Sequence, residues 1–139
     1  MPDTSDDQIR HIFQTVKTIA VVGASPNPER AGHYVMAFLQ ARGYRTIPVN
    51  PGLEGQELLG ERVYKDLASI PFAIDMVDVF RNSEAAGQVI DEAIAIGAKV
   101  VWMQLGVINV EAAARARAAG LEVVMDRCPK MELPRLGRV

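Results

Sequence analysis

Residues 18–22 decide most of what this chain can become. Thr18-Ile19-Ala20-Val21-Val22 is apolar almost throughout, and a short run with no polar alternate is a strand covered on both faces, as a central parallel strand is. Before it, Ile9, Ile12, Phe13 and Val16 recur at helical spacing. After it, past Gly23-Ala24-Ser25, a second helical pattern over 31–42 carries Val35, Met36, Phe38 and Leu39 on one face. Parallel neighbours have to be joined by a crossover, so this change of period between strand and helix already implies a topology.

The alternation continues. Residues 44–49 read as a strand halted by Asn50-Pro51-Gly52, in which Pro48 lacks an amide and must bulge or spare a hydrogen bond. Residues 53–71 are mixed and glycine-bearing, with one short edge strand expected near Val63 and a helical turn at 66–69. Residues 74–80 form the next strand, and Ser83 is expected to cap a helix carrying Val89, Ile90 and Ile94 and closed by Gly97. A buried strand at 99–103, a helix capped by Asn109 and ending at Gly120, and a strand at 121–125 complete the series. Ser5-x-x-Gln8 reads as a capping box for the first helix, and Gly43 as a left-handed cap for the second. Residues 126–139, with Pro129 and Pro134, read as an irregular tail. The expectation is an α/β chain: a Rossmann-like, doubly wound, mostly parallel sheet of five or six strands with helices on both faces. Residues 1–139 are expected to form one domain, with no internal repeat or linker.

Composition narrows the function classes. A hydrophobic share of 49% supplies a globular core, which a disordered chain would lack. A formal net charge of −2 gives no overall positive field to recruit nucleic acid or an anionic membrane. No apolar run approaches the roughly 20 residues that cross a bilayer, and the polar stretch Met1 to Asp7 has no secretory character. Cys128 is the one cysteine, so no intramolecular disulfide can form, and a reducing cytoplasm is the expected setting. His11 and His33 stand far apart without ligand partners, so no metal site is expected.

An open parallel sheet binds ligands outside the carboxyl ends of its strands. Those ends here are Gly23-Ala24-Ser25, Val49-Asn50-Pro51, Phe80-Arg81-Asn82-Ser83 and Met103-Gln104-Leu105-Gly106. Gly23 permits a tight turn, Ala24 and Ser25 are small enough for a ligand to approach the backbone, and the following helix offers free amides and a positive dipole end to an anion. Arg30 and His33 flank that point. A dinucleotide fingerprint would place further glycines where Ser25 and Pro28 stand, and an acid where Asn50-Pro51 stands. The usual chemistry for an NAD ribose is therefore missing.

Taken together, Val22-Gly23-Ala24-Ser25, Pro48-Val49-Asn50-Pro51, Val79-Phe80-Arg81, Trp102-Met103-Gln104-Leu105-Gly106 and Asp126-Arg127-Cys128-Pro129-Lys130 closely resemble the small stand-alone CoA-binding-domain proteins. These are similar in turn to the N-terminal domain of the succinyl-CoA synthetase alpha subunit. The resemblance runs over about residues 19–133. It implies that Gly23, Ala24, Ser25 and Arg30 hold the CoA phosphates, and that Asn50 and Pro51 shape the wall beside the nucleotide. Phe80, Arg81 and Ser83 would border the adenosine, and Met103, Gln104, Leu105 and Gly106 would line the pantetheine exit. Arg30, His33, Arg81 and Lys65 would supply cations for three phosphates. The synthetase's phosphohistidine segment has no counterpart here, so its reaction does not transfer.

The implied function is non-catalytic binding of coenzyme A or an acyl-CoA, a small-molecule nucleotide ligand. An NAD(P)-binding enzyme or redox sensor on the same fold is the alternative, and an interaction domain with a vestigial pocket is a third. Cys128 has no histidine near it in sequence and is read as inert, against a mixed disulfide with the CoA thiol or a nucleophilic role.

Overall fold

The computed structural model describes residues 4–136. Its main sheet has five strands, all parallel: β1 (Thr18–Val22), β2 (Arg45–Val49), β5 (Met76–Val79), β6 (Val100–Met103) and β7 (Glu122–Val124), in the order β2-β1-β5-β6-β7. Helices α1 (Asp6–Thr15), α2 (Ala31–Ala41) and α5 (Pro129–Leu136) cover one face, and α3 (Ser83–Ala95) and α4 (Val110–Ala118) cover the other. Alternate strand residues divide the core accordingly. Ile19, Val21, Met76 and Trp102 pack under α1, α2 and α5, whereas Ala20, Val22, Val77, Val79 and Met103 pack under α3 and α4. Burial on both faces is what the unbroken apolar runs required.

Local rules account for the ends. Ser5 Oγ accepts from the Gln8 amide, but the Gln8 side chain bonds Glu122 Oε1 at 3.3 Å instead of closing the capping box. The α2, α3 and α4 helices end just before Gly43, Gly97 and Gly120. Asp75 sets the register at the amino edge, where Oδ2 accepts from the amides of Lys17 and Thr18 at 2.9 and 3.0 Å.

Pro48 causes no bulge, since β1 and β2 pair without a break from Thr18↔Arg45 to Val22↔Val49. Its own carbonyl faces the outer edge, accepting from the Tyr64 amide at 3.0 Å, so the missing N–H also points away from β1. The edge strand expected near Val63 is a two-stranded hairpin, β3 (Glu57–Leu58) and β4 (Glu61–Arg62), followed by a parallel bridge from Tyr64 to Val49. The turn at Leu67–Ser69 is a 3₁₀ turn capped by Asp66.

Two readings of chain ends are corrected. Ser83 does not cap α3. Asn82 does, its Oδ1 accepting from the Ala85 amide at 2.8 Å. The segment read as an irregular tail contains α5. Pro129 opens it, where an amide would be unsatisfied anyway. Pro134 removes one helical bond, yet Leu133 and Leu136 are buried and Arg135 bridges Glu132 and Asp6 at 2.7 and 2.8 Å.

Asp78 stands out in this core. It is fully buried on the central strand β5, its register partners are Val21 and Trp102, and neither carboxyl oxygen has a hydrogen-bond partner among the described residues. Burial pushes its pKa well above the usual carboxylate range. A folded pKa above the unfolded 3.8 lends stability that is complete below 3.8 and is lost as pH rises through the folded value. Thermal melts from about pH 5 to about pH 8 should therefore show the parent falling relative to Asp78→Asn as pH rises. Parallel pH profiles for the two proteins would show that Asp78 is not held neutral.

Candidate functional site

The sheet changes winding direction between β1 and β5. From β1 the chain passes to α2 on one face, and from β5 to α3 on the other, which opens a crevice at the carboxyl ends of these two strands. The loop over 23–30 fills the crevice under tight steric limits. Gly23 has φ +96°, and a Cβ on it would lie 2.9 Å from the Phe80 carbonyl oxygen. A Cβ on Gly32 would lie 2.3 Å from the Gly23 carbonyl oxygen. Only two glycines allow α2 to settle this closely on the end of β1.

Side chains then fix the loop's carbonyls. Asn50 Nδ2 donates to the Ala24 carbonyl at 2.9 Å, and His33 Nδ1 donates to that of Ser25 at 2.9 Å. Ser25 Oγ accepts from the Asn27 amide at 3.1 Å, and Asn27 Oδ1 from the Glu29 amide at 3.0 Å. The amides of Ala24, Ser25, Ala31 and Gly32 find no protein acceptor among the described residues. Carbonyls held back and amides left free, at a helix N-terminus, make an anion cradle.

Three grooves follow this edge of the sheet. The central one, about 350 Å³, is lined by Gly23, Ala24, Ser25, Arg30, Gly32, Asn50 and Phe80. Beside it, a groove of about 370 Å³ runs from Val22, Val49 and Pro51 past Lys65 and Arg81 to the first turns of α3. On the other side, one of about 340 Å³ is lined by Tyr34, Gln104, Leu105, Cys128, Lys130 and Met131, and it shares Ala31 with the central groove.

The arginines sort themselves by commitment. Arg10, Arg115, Arg127 and Arg135 pair with acids, Arg42, Arg45 and Arg62 lie over rings, and Arg117 has a partner. Among the described residues, Arg30 and Arg81 have no such partner, and both face the grooves.

Four of the residues picked from the sequence line none of these three grooves. Met103 is fully buried beneath α3 and α4, because alternation along β6 turns it to that face. His33 serves the Ser25 carbonyl from behind the loop. Ser83 ties α3 to the loop after β6, its Oγ accepting from the Ile108 amide at 2.9 Å. Gly106, at φ +86°, donates its amide to Asp126 Oδ1 at 2.7 Å and so joins the loops after β6 and β7.

A model of the CoA binding domain matches residues 17–134. The chain belongs to the CoA binding domain family. It is 40% identical over 131 residues to the uncharacterized protein YneT of Bacillus subtilis, covering 94% of this chain and 96% of YneT. Over 89 residues it is 35% identical to the alpha subunit of the ADP-forming acetate–CoA ligase I of Pyrococcus furiosus, a match spanning 61% of this chain and 19% of that subunit. A solved hypothetical protein of Pyrococcus horikoshii superposes with a TM-score of 0.90 at 42% identity, covering 98% of this chain and 99% of that one.

The sequence places Gly32 between Arg30 and His33 but does not reveal its packing role, nor that Tyr34 and Lys130 join Cys128 in the third groove's wall. Gly32 takes the part of the dinucleotide fingerprint's third glycine, which lets helix and strand pack closely. It sits later in the chain because this loop is longer, and glycine in the first turn of α2 was the available signal. Tyr34, Cys128 and Lys130 come from α2 and the start of α5, and nothing local predicts that these meet. Gly32→Ala should destabilise the fold by about 1–3 kcal/mol, as overpacking against rigid backbone does. Urea denaturation measures this, and an unchanged midpoint would show that α2 is free to move off the strand.

Proposed function

We propose that this CoA binding domain chain binds coenzyme A or an acyl-CoA reversibly and catalyses no reaction on it. The observation that carries the reading is the pair of uncommitted arginines, Arg30 and Arg81, flanking a loop with free amides. The pyrophosphate of CoA suits the central groove, where Gly23, Ala24 and Ser25 offer backbone and Arg30 a planar fork of donors. The adenosine and its ribose phosphate suit the groove with Pro51, Lys65 and Arg81, beside Phe80. The pantetheine arm suits the groove with Gln104 and Leu105. Membership of the family and the likeness to a CoA ligase subunit support this ligand over others.

A binding role is supported by how the polar side chains are used. His33 bonds the Ser25 carbonyl and the Ser25 hydroxyl bonds the Asn27 amide, so the two do not form a nucleophile–base pair. An NAD site needs an acceptor at the end of β2 for the ribose hydroxyls. Asn50 stands there with Oδ1 taken by the Gly52 amide at 2.9 Å and Nδ2 by Ala24.

Calorimetry with CoA, dephospho-CoA and NAD tests the reading. CoA should bind tightest and NAD weakest, with the differences narrowing at higher salt. Arg30→Ala and Arg81→Ala should each weaken CoA by about 1.5–3 kcal/mol, the worth of a charged hydrogen bond. If NAD outcompetes CoA at low and high salt alike, the ligand is wrong and a dehydrogenase-like reading replaces it.

A further inference from the structure

We infer that Cys128 is a site of thiol–disulfide exchange with the disulfide form of coenzyme A, held by the same grooves. The inference rests on the CoA reading above and gives the third groove a chemistry of its own. Cys128 lines that groove and is 7% exposed, so bulk reagents meet little of it while a ligand lying in the groove passes it. Its backbone is fixed on both sides. Trp102 Nε1 donates to the Arg127 carbonyl at 2.8 Å, and the Cys128 carbonyl accepts from the amides of Met131 and Glu132 at 3.0 and 2.9 Å, which puts Cys128 at the start of α5. Lys130 lines the same groove.

A second observation points to an occupant. Gln104, on the same groove, is 6% exposed, and its Oε1 has no hydrogen-bond partner among the described residues. A buried acceptor without a donor is costly in an otherwise satisfied fold. The pantetheine arm carries two amide N–H groups along its length, followed by sulfur, and a turn of the Gln104 side chain, whose Oε1 is enclosed in the free chain, would bring its acceptor to them. The groove adjoins the anion cradle through Ala31, which matches the order phosphate, amides, sulfur along CoA.

The step balances without any further oxidant. Cys128, as thiolate after losing its proton to solvent, attacks one sulfur of CoA disulfide. The new bond joins Cys128 Sγ to a CoA sulfur, the old S–S bond breaks, and the departing CoA thiolate takes up a proton. Cys128 is oxidised and one CoA half is reduced.

The test incubates the full chain with CoA disulfide at about pH 8 and reads intact mass. Because Cys128 is the only cysteine of the sequence, a reductant-labile adduct of one CoA per chain locates itself. Glutathione disulfide should react at least about tenfold more slowly, since it lacks the groups that raise local concentration. Arg30→Ala should slow the reaction with CoA disulfide and leave that with glutathione disulfide unchanged. No adduct, or equal rates with both disulfides in the parent and the variant, overturns the inference. Calorimetry of the parent with CoA under reductant separates the failures. Binding without an adduct sinks this inference alone, and absence of binding sinks the CoA reading beneath it.

Discussion

The contact of Gly32 with the Gly23 carbonyl is the constraint on which the rest of the site depends. It brings the start of α2 onto the end of β1 with no side chain between them. Gly23 is pressed from the other side by Phe80 at the end of β5, so two strand ends and one helix end converge on a single residue. Because β1 and β5 send their helices to opposite faces, this is also where the sheet is open. The cradle of free amides follows from these positions before any side chain is considered. A larger residue at either glycine would separate the helix dipole from the crevice as well as strain the loop.

Most of the fold was legible because the apolar residues leave little choice. Runs such as 18–22 and 99–103 tolerate only a strand covered on both faces, and the helical stripes between them supply the cover. The last helix was not legible, for a reason outside its own composition. Pro134 and a mean of mixed polar residues argue against a helix locally, whereas Leu133, Leu136 and the Asp6–Arg135–Glu132 ion pairs hold it from across the chain. Tertiary packing decided against propensity there, as it often does for short helices.

The site divides along a similar line. Loops at the switch point were identifiable from glycine and strand ends, but which of their polar residues the framework itself uses was not. Asn50, His33 and Ser83 have both a short reach and the means to satisfy backbone groups, and the structure spends them on carbonyls and amides of neighbouring loops. Arg30 and Arg81 accept no hydrogen bonds themselves and point charge outward, so they remain free where the short polar residues do not. Loop polarity at this edge of the sheet is thus mostly framework, and the two long cations are what it leaves uncommitted.

The third groove shows how the framework reaches into the site. One wall is the loop after β6, with Gln104 and Leu105, and another is the start of α5, with Cys128 and Lys130. Asp126 joins them: at φ +61° it adopts a left-handed conformation that aspartate tolerates better than most residues, and its Oδ1 holds the Gly106 amide. Arg127 then extends the link, bonding Trp102 through its carbonyl and Glu132 through its guanidinium at 3.1 Å. Glu132 in turn holds Arg135, which reaches Asp6 on α1. The wall that carries the thiol is therefore braced by the strand core beneath it and by the first helix of the chain. A thiol on a free tail would sample many directions, whereas this one is held at a fixed place along the groove, which is the condition for reaction with one disulfide and not with another.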